Sequence, residues 1–177
     1  MPAASPPTSP GTQRGELTIT AQLDDPDGLL LRLDGVEEDD AEYFSGTSSR
    51  HLSLAPLEAL CRTLATGEPE RLTTRWRKWS FRHHYSFDPP WVAEETRPPA
   101  ARELWFYPMR ENRRTFRARA DALIPCLRAE LDWLVDNLAW LDDTRRGPTE
   151  AGLQRALRDL RRAAERCALD TTSPRPP

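Results

Sequence analysis

Lysine is nearly missing from this chain: among 25 basic residues, only Lys78 is not an arginine. With Ala, Pro and Leu also frequent, this is the bias of a GC-rich coding sequence, and it lowers the functional weight of any single arginine. Glycine is scarce too, at eight in 177 residues. There is no G-x-G-x-x-G and no P-loop, so phosphate-cradling loops of those kinds are excluded. No G-x-S-x-G elbow offers a nucleophilic serine. Cys61, Cys126 and Cys167 are odd in number, far apart and without a C-x-x-C pair, which argues against a disulfide framework and a zinc site. No apolar run reaches the length of a membrane span, and no basic start followed by an apolar segment resembles a secretory signal. These absences predict a reduced, soluble, cytoplasmic protein with no membrane association, no metal and no other cofactor.

What is present is charge, unevenly placed. Residues 1–42 hold ten acids against Arg14 and Arg32, a balance of −8, while the remainder carries +5, which together make the net −3. Such asymmetry accompanies either two parts of one fold that attract each other or a charged partner. The chain is long enough for one domain with a substantial core. Pro, Ser and Thr dominate residues 1–14 and recur over 171–177, so both are expected to be disordered tails around a domain spanning 15–170.

Leu17, Ile19, Ala21 and Leu23 alternate with polar residues, the pattern of a half-buried strand. Asp24–Gly28 supplies turn chemistry, and Leu29, Leu31 and Leu33 continue as a second strand. The acidic run Glu37–Glu42 and the polar run Ser45–Ser49 read as a loop. Ser53 is placed to cap a helix from Leu54 to about Ala65, ended by Gly67. Arg71–Phe87 reads as one long strand and Leu104–Tyr107 as a shorter one. Leucines and alanines at spacings of three and four from Phe116 to Leu141 predict a helix, with Pro125 forcing a kink or a true start near Asp121. A second stripe on that helix holds Trp133 and Trp140. Gly147-Pro148-Thr149 reads as the connection to a terminal helix striped by Leu153, Leu157, Leu160, Ala164 and Cys167. The tryptophan stripe is expected to lie beneath that helix or to bind a partner. The fold class is α+β: a mostly antiparallel sheet of about four strands on helices, with a C-terminal antiparallel helix pair.

Two surfaces could carry function. Aromatic anchors dominate interface energetics, so Trp133 and Trp140 are candidate partner-binding residues. Glu37, Glu38, Asp39 and Asp40 could steer a basic partner toward the protein. With no catalytic motif present, the leading expectation is a non-catalytic protein-binding module of regulatory or immunity-like kind, acting on another protein or on a second copy. The alternative uses Arg75, Trp76, Arg77, Lys78, Trp79 and Arg82 to grip single-stranded nucleic acid, cations on phosphates and rings on bases. In one extended strand the ring pattern reverses polarity between Trp76 and Trp79, and a β-bulge there would restore a single apolar face. A third reading is an enzyme using His83 or His84. Adjacent strand residues face opposite ways, which is poor geometry for a shared metal.

Overall fold

Residues 5–24, 28–40, 44–76, 78–87, 102–107 and 115–172 are described by the computed structural model of the chain. Its strands are β1 (Thr12–Arg14), β2 (Leu17–Asp24), β3 (Gly28–Asp40), β4 (Phe44–Leu52), β5 (Glu70–Trp76), β6 (Trp79–Ser86), β7 (Glu103–Tyr107) and β8 (Thr115–Arg119). The helices are α1 (Leu54–Thr66), α2 (Ala120–Asp136) and α3 (Asp143–Thr172), with a 3₁₀ turn at Leu138–Trp140 between the last two. Every strand pairing is antiparallel. The α+β class and the packing of α2 on α3 are therefore as the sequence predicts. The strands number eight, twice the expected count.

Part of the excess comes from the acidic run. Glu37–Asp40 was expected in a loop, yet β3 continues through it, pairing β4 on one edge and β8 on the other. Composition misleads here because a strand is held by its backbone ladder, and the flanking Ser/Thr-rich β4 supplies that ladder. Strand β3 joins the four strands β1–β4 to the four strands β5–β8. Its first half pairs β2 and its second half pairs β8 along the same edge, since β4 occupies the opposite edge of both halves. Between them the register slips, with Asp34 and Gly35 set against Ser49 alone. This bulge bends the strand away from β2. Gly35 has φ +78°, and a Cβ there would lie inside the Glu16 carbonyl, 2.7 Å from its carbon.

The expected strand over Arg71–Phe87 is instead a hairpin, with Trp76 opposite Trp79 and Lys78 at the turn. The reversal of ring polarity therefore marks a chain reversal and not a bulge.

Helices cover one face of the sheet. Alternate residues Leu17, Ile19, Ala21 and Leu23 of β2 and Leu29, Leu31 and Leu33 of β3 are buried on that face. They meet Leu57 and Leu60 of α1, Leu123, Leu127, Leu131 and Leu134 of α2, and Leu153 and Leu160 of α3 in one cluster. No described helix is long and apolar enough to cross a membrane. Helix α1 ends as expected, with Gly67 in the left-handed region and its N–H on the Thr63 carbonyl at 2.9 Å. Arg166 of α3 reaches the Ala65 carbonyl at 2.6 Å, and Arg155 pairs Glu58 at 2.7 Å, so α3 is tied to α1 as well as to α2. Helix α2 truly starts at Ala120, and Phe116 belongs to β8.

The helix–helix connection lies earlier than Gly147-Pro148-Thr149, which sits inside α3. Asp142 caps that helix, its Oδ1 accepting the N–H groups of Thr144 (3.0 Å) and Arg145 (3.1 Å). The cap fixes the start five residues before the proline. The hydrogen bond with Thr144 holds the Asp142 carboxyl below the usual range.

Much of the expected N-terminal tail is also ordered. Ser9 N–H donates to Ala21 O at 2.8 Å, Leu23 N–H to Pro7 O at 3.1 Å, and β1 adds to the edge of β2. The strap is fastened from beneath by Glu130 of α2, which is only 2% exposed. Its carboxylate accepts the Ser9 hydroxyl and, at 2.7 Å, the Thr12 hydroxyl. Ser9 Oγ in turn accepts Ala21 N–H at 2.9 Å.

Candidate partner-binding surfaces

Helix α2 stops at Asn137, whose side-chain amide donates to the Trp133 carbonyl at 2.8 Å. The chain then makes its 3₁₀ turn with Leu138 and Leu141 buried, so the two flanking leucines pin the turn to the core. Arg146, one turn into α3, reaches back over it. Its guanidinium donates to the carbonyls of Leu138 (3.3 Å), Ala139 (3.3 Å) and Leu141 (2.8 Å). The Leu138 carbonyl also accepts the Leu141 N–H at 3.0 Å, and all three acceptors are thereby tied to one donor fork. Trp140 is held outward by this clamp at 43% exposure, the exposed large hydrophobic residue among the described residues.

The two tryptophans expected on one stripe thus separate. Trp133 is half-buried against the core, while Trp140 stands off the end of the helix. The reason is local: α2 ends before Trp140, and helical spacing no longer applies. Near the turn in sequence Asp136, Asp142 and Asp143 are exposed, and so is Asp132 one helical turn before Asp136 on α2. Asp142 and Asp143 make ion pairs with Arg145 (3.8 Å) and Arg146 (3.4 Å). Asp132 and Asp136 have none among the described residues. Asp136 also sits at the C-terminal end of α2, where the helix dipole disfavours a negative charge. Nothing in the sequence pattern singled out Arg146, although Asp142 followed by Thr144 is a recognisable cap signal.

Glu37, Glu38, Asp39 and Asp40 lie on β3, which pairs β4 and β8, whereas the Trp140 turn touches α2 and α3. The side chains of these four acids fall outside the described part of the structure. In register, Glu37 is opposite Arg117.

The β5–β6 hairpin places its residues on two faces, because directly opposed residues share a side. Arg71, Thr73 and Arg75 are opposite His84, Arg82 and Ser80 on the outer face. Leu72 and Thr74 are opposite His83 and Phe81 on the face that α1 packs against, and Trp76 is opposite Trp79 in register. The side chains of Trp76 and Trp79 and all of Arg77 lie outside the described part. Arg71, Arg75, Arg82 and Lys78, at the turn, are exposed. Glu70, on the inner side, is paired to Arg62 of α1 at 3.1 Å.

His83 and His84 diverge as alternate strand residues should. His83 Nε2 is 2.9 Å from Thr74 Oγ1, and its Nδ1 is 3.4 Å from the Tyr85 hydroxyl. Burial lowers its pKa from the ordinary 6.5. Burial and then the Arg71 charge lower that of His84. Among the described residues no three His, Cys, Asp or Glu side chains converge as metal ligands would. Both depressed values mean that the unfolded chain takes up protons before the folded one does. Their stabilising contribution is complete above about pH 6.5 and is lost as pH falls through the folded-state values. Thermal unfolding followed from pH 8 to pH 5 is expected to show a falling midpoint, and His83→Gln is expected to flatten the fall.

A cleft of about 260 Å³ opens where β2 and β8 part company beside the Gly35 bulge. Its charged lining is balanced, with Arg117 on Glu103 at 3.4 Å and Arg119 on Asp121 at 2.6 Å.

No known protein family, curated protein or solved structure matches this chain. The functional argument rests on these surfaces alone.

Proposed function

We propose that the protein acts by binding a basic protein partner, without catalysis, at the joint between α2 and α3, with Trp140 as the apolar anchor. The observation that carries this reading is the clamp: three carbonyls of the turn are satisfied by Arg146, so the indole is offered from a rigid base. A preordered aromatic loses little conformational freedom on binding, which is why such residues concentrate interface energy. The acidic rim selects the partner's charge. A basic partner would relieve the unfavourable placement of Asp136 at the helix end and would be steered in by the rim. Association of two copies joint to joint would set these acids against each other, so the reading favours a different protein over self-assembly.

The two tryptophans should behave differently. Trp140→Ser is expected to change unfolding stability by no more than about 0.5 kcal/mol, as for an exposed site. Trp133→Ser is expected to cost about 1–3 kcal/mol, less than a fully buried ring because Trp133 is only half-buried. Urea denaturation of both variants checks this. Equal losses would mean that Trp140 is packed like Trp133, and the anchor reading would fail.

A further inference from the structure

Independently of the protein-partner reading, we propose that the outer face of the β5–β6 hairpin is a docking surface for the phosphate backbone of duplex nucleic acid. Four exposed cations, Arg71, Arg75, Lys78 and Arg82, occupy this ribbon and its turn. Between them stand Thr73, Ser80 and His84, and among the described residues of the hairpin no acid shares the face. Arg75 and Arg82 have no ion-pair or hydrogen-bond partner among the described residues. Several other arginines are put to internal use: Arg62 on Glu70, Arg117 on Glu103, Arg155 on Glu58 and Arg166 on a helix end, while Arg128, Arg158 and Arg161 are exposed on helices without a partner among the described residues. What sets the hairpin apart is that its cations are gathered on one strand pair and its turn.

The occupant follows from which groups share the face. A single strand gripped by cations and stacked on rings at the same time needs both on one side. Here Phe81 and Tyr85 are on the opposite side, facing α1, and the cation face offers hydroxyls and guanidinium groups, the usual donors to phosphate oxygens. Among the described residues β6 meets β7 only over His84–Ser86, so from the turn to Leu72 and His83 the unit is a two-stranded ribbon, with Arg71 at its base. A ribbon of that width enters the major groove of B-form DNA, where phosphates line both walls. With its cations spent on phosphates, which carry no sequence information, the contact is expected to be independent of sequence.

The test is fluorescence anisotropy with a labelled 20-base-pair DNA of arbitrary sequence and a 20-nucleotide single strand, from 50 to 200 mM salt. With about four phosphate contacts the affinity for the duplex is expected to fall on the order of 100-fold across that range. Arg75→Ala with Arg82→Ala is expected to weaken duplex binding at least about 10-fold at 50 mM salt and to lower the log–log salt slope by about 2, with an unchanged thermal midpoint. Arg75→Lys with Arg82→Lys, which keeps both charges, is expected to stay within about threefold of the parent. Absent or salt-insensitive duplex binding overturns the proposal. So does the alanine pair binding like the parent, the lysine pair losing as much as the alanine pair, or the single strand binding more tightly than the duplex.

Discussion

Gly35→Ala is expected to destabilise the protein by about 3 kcal/mol or more, measured as a shift of the urea midpoint. Two independent costs meet at that position. The backbone has φ +78°, where an L side chain costs about 1–2 kcal/mol. The new methyl would also point into the carbonyl of Glu16, 2.7 Å from its carbon. Overpacking against a side chain costs about 1–3 kcal/mol, and a backbone group in a strand has less room to yield. The loss is large beside a total stability of about 5–15 kcal/mol for a domain. Gly147→Ala is the matched control. Gly147 is helical with nothing within 4 Å of a Cβ, so the same chemical change there is expected to stabilise by about 0.5–1 kcal/mol. If Gly35→Ala and Gly147→Ala moved the midpoint alike, the bulge and the close approach of β2 to β3 would be wrong.

Removing residues 1–14 is expected to cost about 3 kcal/mol and to make Cys126 reactive. The strap gives two hydroxyl hydrogen bonds to a buried carboxylate, each about 1.5–3 kcal/mol in favourable cases, together with the β1 ladder. Without it Glu130 loses both partners. Cys126 lies one helical turn before Glu130 on α2, is buried, and has its thiol pKa raised chiefly by that burial, with Arg14 lowering and Glu130 raising it further. Thiol-labelling rates therefore report on the strap directly. Glu130→Ala, which leaves Ser9 and Thr12 without their acceptor, is expected to give the same labelling in the full-length chain at a cost of about 2 kcal/mol. Glu130→Gln keeps one acceptor and is expected to fall between. A truncated protein with the parent's stability and an unreactive Cys126 would show the strap to be passive.

The parts of this structure visible in the sequence are those governed by local periodicity. Alternation over Leu17–Leu23 and the three-four spacing of Leu123, Leu127, Leu131 and Leu134 are one-dimensional records of a buried face. So is Gly67 as a helix stop. The parts that escaped depend on partners distant along the chain. Nothing near Ser9 tells that it meets Glu130, 121 residues away, so a Pro/Ser/Thr-rich segment reads as disordered. Between Trp76 and Trp79 the sequence has no Gly, Asn or Asp to signal a hairpin, leaving only the inverted ring pattern as a trace. Strand β3 crosses an acidic run because its edges are occupied by β4 and β8. Of the candidate anchors, Trp140 was legible as a residue but not as a surface, since its exposure follows from where α2 ends and from the reach of Arg146.

The central claim is that the rigid, acid-rimmed Trp140 turn holds a partner, and it is tested most directly by parallel capture. Full-length protein and its Trp140→Ser variant, matched in thermal midpoint, would each be used to capture partners from cells that make the protein naturally, at low salt. The expected result is a stoichiometric, basic partner held by the parent and lost from the variant. An identical set of bound proteins on both would contradict the claim.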